Sequence, residues 1–220
     1  MDIVFVIDSS NAVCRTGVAC PNWIALLRFV ADIVDGLNVG FNTTRVGVVR
    51  YGNGSAATFF YLSSIPNSAQ TIPVKASLVG AILALPFLGG APNLTAGLHE
   101  MRTAQFVDAN GDRLGVPNVA VVVTPAAETG AVGQAQIAAE ATAAVDGGVT
   151  LLAVGATGLA TDAYFRSFVS LPQQINQTYF LSPSGYGGLS GLVGPVISRA
   201  CVISSQSDCR DKVEIISVFF

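Results

Sequence analysis

The apolar run Ile3-Val-Phe-Val-Ile7 ends on Asp8, Ser9 and Ser10, which puts three oxygen-bearing side chains where the chain must turn. At the carboxyl end of a parallel strand such groups face a ligand crevice. An aspartate flanked by hydroxyls can hold a hard cation or accept backbone N–H bonds there. Other residues capable of chemistry are few. His99 beside Cys14 or Cys20 would form a nucleophilic dyad, but cysteines spaced 14/20 and 201/209 are better used as two local disulfides. Asp108-Ala-Asn-Gly-Asp112 has two acids of a calcium loop without the remaining ligands and closing glutamate, and reads as an exposed turn. The first strand lacks G-x-G-x-x-G, and no P-loop or G-x-S-x-G elbow occurs anywhere. The expectation is a protein that is not an enzyme.

The elements that must position Asp8 follow from periodicity. Strands are expected at 3–7, 45–51, 57–62, 119–124, 149–154 and 177–181, with Gly52-Asn-Gly54 turning the second and third into a hairpin. Helices are expected at 23–37, where Ile24, Leu27, Val30, Ala31 and Val34 recur at helical spacing, and at 74–85, 94–106, 131–145, 162–169 and 189–202. Val119-Ala-Val-Val-Val-Thr124 is β-branched at every position but Ala120, as suits a strand covered on both faces. The alternation gives an α/β fold: a doubly wound, mostly parallel open sheet with one antiparallel edge strand and helices on both faces. Aromatic clusters at 59–61, at Tyr164, Phe165 and Phe168, and at Phe219 and Phe220 are expected mostly in the core. Tyr186, in the Gly- and Ser-rich stretch before the last helix, is read as a loop residue at the crevice edge.

The chain has 220 residues, 51% hydrophobic and only 11% charged, with a net charge of −3. Its mean hydropathy is +0.57. So little charge suits a protein whose surface is covered by neighbours in an assembly. Lysine occurs only at 75 and 212, so no basic patch exists for nucleic acid. Apolar runs are all interrupted by Gly, Pro or charge, which argues against membrane insertion. No signal peptide is visible before the first strand, so the sequence reads as a mature domain. Paired cysteines, with N-x-Ser/Thr sequons at Asn42, Asn53, Asn93 and Asn176, point to secretion and glycosylation. The last residues carry a β-prone run, Val213, Ile215, Ile216, Val218, Phe219 and Phe220. It is read as an extra edge strand, the start of a following domain, or a strand donated to a neighbouring molecule.

These segments resemble the von Willebrand factor type A domain, a Rossmann-like fold, in its matrilin and collagen-associated matrix branch. The resemblance rests on Asp2-Ile-Val-Phe-Val-Ile-Asp8-Ser-Ser, Arg45-Val-Gly-Val-Val-Arg-Tyr51, Leu85-Pro-Phe-Leu-Gly-Gly90, Gly115 to Thr124 and Gly148 to Gly155. It covers nearly the whole chain, and implies a domain over residues 1–203 followed by an extension over 204–220. The family's metal-ion-dependent adhesion site would use Asp8 and Ser10, but Ala12, Pro92 and Pro125 stand where it has a serine, a threonine and an aspartate. The resemblance thus implies a degenerate site with no cofactor. A weak Mg²⁺ or Ca²⁺ site would require Thr95 or Glu128 to move in, or water to replace most ligands. Ser9, Asn93, Thr95, Glu128 and Tyr186 are the remaining binding candidates.

The implied function is a secreted, extracellular matrix module. It would bind matrix proteins such as collagen, or itself as a homo-oligomer or filament, without metal and with tail strand exchange as one route. The alternative is a metal-dependent adhesion or ligand-binding domain using Asp8 and Ser10 with substitute ligands.

Overall fold

A computed structural model describes residues 1–14, 20–64, 74–128, 130–170, 178–182, 184–204 and 209–210. Six strands, β1 (Asp2–Asp8), β2 (Arg45–Gly52), β3 (Ser55–Phe60), β4 (Asn118–Thr124), β5 (Val149–Gly155) and β6 (Tyr179–Leu181), form one sheet in the order β3-β2-β1-β4-β5-β6. All pairings are parallel except the β2–β3 hairpin. The winding direction reverses between β1 and β4, and at such a switch point the loops diverge and leave a crevice. Six α-helices cover the faces: α1 (Pro21–Asp35), α2 (Val74–Leu83), α3 (Leu94–Glu100), α4 (Ala131–Asp146), α5 (Asp162–Arg166) and α6 (Val193–Ser204). The expected fold class is borne out.

The period-2 alternation of β1 sorts its residues between two cores. Ile3, Phe5 and Ile7 pack with α1 and α6, whereas Val4 and Val6 pack with α3, α4 and α5. Every one of these side chains is fully buried, each stabilising the fold by roughly 1.5–3 kcal/mol relative to exposure. Helix α1 begins with Pro21, where a missing N–H costs nothing, and the Cys20 sulfur accepts the Trp23 N–H at 3.3 Å. Its buried face runs through Trp23, Leu27, Val30 and Val34, but Ile24 is 50% exposed, contrary to the expected stripe. Ile24 sits at the margin of the apolar arc, beside a surface groove that it lines with Tyr186 and Leu189.

The helix expected over 94–106 is shorter. After Glu100 it widens into a π-helical turn, Met101–Gln105. The turn places the Gln105 amide on the sheet edge, donating to the Phe60 carbonyl at 2.8 Å and the Thr58 hydroxyl at 3.1 Å. Gly47 makes room for it, since a Cβ there would lie 2.3 Å from Gln105 Oε1. Glu100 accepts both the N–H and the hydroxyl of Thr58, so the irregular stretch of β3 already has its edge groups paired.

The expectation of core aromatics holds for Tyr164, Phe165 and Phe168, which meet edge to face or tilted at 5.3–5.9 Å. It fails for Phe59 and Tyr61, which are 43% and 39% exposed. Phe59 lies in the outer strand β3 and Tyr61 just beyond it, and Arg50 lies over the Phe59 ring. Phe219 and Phe220 lie outside the described residues.

Both cysteine pairs form the expected disulfides, with Cα–Cα distances of 5.7 Å for Cys14–Cys20 and 5.4 Å for Cys201–Cys209. Cys209 is buried, and its carbonyl accepts the Asn38 N–H at 2.9 Å, so residues 209–210 are tied to the end of α1. Among the described residues one helical run, Gly185–Ser204, has the length and hydropathy of a membrane span. It is a 3-10 segment (Gly185–Leu192) continued by α6, carries Pro195 and Arg199, and packs against α1.

Candidate functional site

The loops at the carboxyl ends of β1, β2 and β4 meet around Asp8. Asp8 and Tyr51 are register partners at the ends of β1 and β2, and Thr124 closes β4. The Asp8 carboxylate accepts the Ser10 N–H at 2.8 Å on one oxygen and the Thr124 hydroxyl at 3.2 Å on the other. Ser10 Oγ accepts the Ala12 N–H at 3.1 Å, and Ser9 Oγ accepts the Leu88 N–H at 2.8 Å. Short polar side chains here serve the turn, as Asp and Ser do at strand ends.

The neighbouring loop is pinned from two sides. Gly89 N–H donates to the Ser9 carbonyl and Asn11 N–H to the Gly90 carbonyl, each at 2.8 Å, while Asn53 N–H donates to the Gly89 carbonyl. Gly90 has φ +69°, and a Cβ there would sit 2.5 Å from the Asn53 Cα, so only glycine lets the hairpin turn approach. Asn93 caps α3, accepting the Ala96 N–H and donating to the Gly54 carbonyl, both at 2.9 Å. Its amide nitrogen, the atom a glycan would take, is thereby engaged. Asn42 and Asn53 are exposed, and Asn176 lies outside the described residues.

The structure separates the residues foreseen as replacement ligands. Glu128 comes to the site, where its carboxylate accepts the Leu94 N–H and its charge acts on that of Asp8. Thr95 does not; it lines an open groove of about 680 Å³ with Asn93, His99 and Glu140 on the outer side of α3. Tyr186 is no solvated loop residue. It is half-buried in the 3-10 segment against the α1-side core, with a buried hydroxyl. Missing from the sequence reading are Tyr51 and Tyr164. The hydroxyls of Tyr51, Tyr164 and Tyr186 are buried, and burial pushes the pKa of each up, with the Asp8 charge reinforcing it. Tyr51 could have been found from its position opposite Asp8 at the end of the second strand. Tyr164 carries no such signal, because its helical spacing marks only a core residue.

A six-oxygen cation shell would need side-chain oxygens that point inward and are not already spent. Ala12, Pro92 and Pro125 bring none, the Ser10 and Ser9 hydroxyls accept backbone N–H bonds, and the Thr124 proton is shared between Asp8 and the Ala126 carbonyl. Among the described residues no group of three or more His, Cys, Asp and Glu side chains could hold a metal ion.

Burial pushes the Asp8 carboxyl above the usual range, and its hydrogen bonds from Ser10, Thr124 and Tyr51 offset this only in part. Burial also raises Glu128, opposed by the Leu94 N–H and reinforced by the Asp8 charge. A raised acid contributes stability below its unfolded pKa, about 3.9 for aspartate, and loses it as pH rises through the folded value. Asp8→Asn should therefore have a higher thermal midpoint than the wild type at pH 7. Melting curves from pH 3 to 8 should show the gap closing toward the acid end.

With fold and site described, the family can be stated: the chain matches the von Willebrand factor type A domain over residues 2–189 and belongs to that family. It is 28% identical over 219 residues to the human (Homo sapiens) collagen alpha-6(VI) chain, covering 98% of this chain and 9% of that one. It is 33% identical over 220 residues to Homo sapiens matrilin-4, covering 97% and 32% respectively. The chain thus spans less than a third of either relative. Among solved structures it is similar to proximal thread matrix protein 1 from the mussel byssus, with zinc occupying its MIDAS motif. That likeness has a TM-score of 0.71 at 24% identity, covers 91% of this chain and 45% of that one, and speaks for the fold.

Proposed function

We propose that this domain is a secreted, extracellular adhesive module of the matrix, not an enzyme, which binds matrix proteins such as collagen or further copies of itself without a metal ion. The relatives are matrilin-4 and a collagen VI chain, and the two disulfides fit an oxidising compartment. The observation that carries the metal-free reading is the lack of a side-chain oxygen at Ala12, Pro92 and Pro125, beside Ser9 and Ser10 hydroxyls that already accept the N–H groups of Leu88 and Ala12. Titration calorimetry with Mg²⁺, Ca²⁺ and Mn²⁺ should give no saturable heat, and EDTA should leave the thermal midpoint unchanged. Saturable heat abolished by Asp8→Ala would establish the metal-dependent alternative instead.

Assembly by tail exchange is the more specific part of the proposal. The tail from Val213 to Phe220 lies outside the described residues, so its support is compositional: an apolar, β-prone octet in a chain of low charge. The sheet offers two edges, β3, whose irregular stretch is already paired by Glu100 and Gln105, and the three-residue β6. A donated strand would pair with β6 or with the start of β3. Deleting residues 213–220 should convert oligomers to folded monomers in analytical ultracentrifugation; an unchanged distribution would remove tail exchange and leave the adhesive reading standing.

A further inference from the structure

From the hairpin tip between β2 and β3 we infer that Asn53 is an N-glycosylation site whose sugar guards the open start of the edge strand β3 against pairing with another chain. The inference rests on the secreted reading and narrows which edge of the sheet serves assembly.

Transfer of a glycan needs the asparagine amide and the hydroxyl residue two positions on to be within reach of an enzyme, and the finished domain must leave room for a bulky polar group. The sequon at 53 meets both needs: Asn53, Gly54 and Ser55 are all exposed. Thr44, two positions after Asn42, is completely buried, and Asn93 is half-buried with both branches of its amide engaged, on the Ala96 N–H and the Gly54 carbonyl. At the tip the turn is fixed through its backbone, Asn53 N–H donating to the Gly89 carbonyl at 2.8 Å and Gly54 N–H to the Ala91 carbonyl at 2.9 Å. A sugar on the side chain leaves both bonds intact. In the transfer the Asn53 amide nitrogen attacks the anomeric carbon of an oligosaccharide carried on a polyprenyl diphosphate. The N–C bond forms as the C–O bond to phosphate breaks, the diphosphate leaves with the bonding pair, and the nitrogen gives up one proton.

The place of the tip gives the sugar its role. β3 is the outermost strand of the sheet and begins at Ser55, two residues after Asn53. Glu100 bonds the Thr58 N–H and Gln105 the Phe60 carbonyl, so the far part of the edge is closed. Because the Thr58 N–H is directed away from β2, the alternation of an antiparallel ladder directs the N–H and C=O of Ala56 the same way. Ala56 borders the open groove beside α3, together with Gly54 and Ser55. Edges of this kind are usually defended by lysine, proline or other charges, and Ser-Ala-Ala-Thr-Phe-Phe has none of them, while Phe59 is 43% exposed. A hydrated sugar at the head of the strand supplies the missing defence. Strand β6 is then the edge left for exchange.

The test uses the whole chain, secreted by cultured insect cells behind an added leader. Trypsin places each sequon on its own peptide, Asn53 on Tyr51–Lys75. Enzymatic release of the sugar in ¹⁸O-labelled water should turn Asn53 into labelled aspartate in most molecules. In sedimentation velocity, folded protein stripped of sugar should associate at severalfold lower concentration than the glycosylated form, and so should Ser55→Ala, which is made without the sugar. A Tyr51–Lys75 peptide free of sugar, from secreted and disulfide-bonded protein, overturns the site and leaves the secreted reading standing. Retention of the chain inside the cell sinks that reading and the site with it. Association unmoved by loss of the sugar overturns the guarding role, and if Ser55→Ala fails to fold, the stripped wild type decides.

Discussion

Arg113→Ala is expected to lower folding stability by about 3–5 kcal/mol, the usual cost of removing one partner of a buried ion pair. Asp2 is completely buried at the amino end of β1, and Arg113 is its cation. The guanidinium reaches Asp2 Oδ1 at 2.6 and 3.0 Å, and also donates to the carbonyls of Met1 at 3.0 Å, Phe41 at 3.3 Å and Thr43 at 2.8 Å. One side chain thus ties the first strand, the loop before β2 and the loop before β4 together. Its removal leaves the buried Asp2 carboxylate without its cation and with the backbone N–H of residue 113 still donating to it. The three carbonyls keep other donors: the Arg45 N–H for Met1, the Arg45 Nε for Phe41 and the amino terminus for Thr43. Urea unfolding followed by circular dichroism measures the loss. Adding Asp2→Asn to Arg113→Ala should recover part of it, since the stranded charge is then gone, and a double variant no better than the single one would show that the carbonyl contacts dominate.

Trp23→Ala should cost a similar amount, about 3–5 kcal/mol for a large buried aromatic. Trp23 is 5% exposed, packs 5.9 Å from the Phe87 ring, and donates its indole N–H to the Leu85 carbonyl at 2.9 Å. Those contacts hold the segment that delivers the Leu88 N–H to Ser9 and Gly89 to the Ser9 carbonyl. The substitution therefore leaves a cavity, orphans a carbonyl and loosens one wall of the Asp8 site. Trp23→Phe should recover most of the packing without the hydrogen bond and fall between the two. Amide exchange at Leu88 and Gly89 should quicken in both variants; protection equal to the wild type would mean that the loop is held from the Ser9 side alone.

Much of the architecture was legible because it is written in short-range pattern. Alternation in β1, the β-branched run of β4, the Gly52-Asn-Gly54 turn and the spacing of Leu27, Val30 and Val34 each depend on neighbours a few residues apart, which periodicity reports directly. The errors fall where tertiary contacts outweigh that pattern. The π-helical turn at Met101–Gln105 exists to bring Gln105 onto the sheet edge, and nothing in the local spacing announces it. Phe59 and Tyr61 are apolar by type but exposed, because they lie in and just after the outermost strand of the sheet.

The same division holds for the site. By itself the sequence determined that an acid and two serines follow the first strand and that positions 12, 92 and 125 bring no side-chain oxygen, and it suggested the local cysteine pairing that the structure shows. Residue identity and contour length suffice for such statements. Only the tertiary structure decided that Glu128 and not Thr95 comes to Asp8, and that the hydroxyls of Tyr51, Tyr164 and Tyr186 are buried where the Asp8 charge acts on them. Those groups come from elements far apart along the chain. Their meeting is set by strand order and by which helix covers which face, a cooperative outcome of the whole core that no single segment encodes.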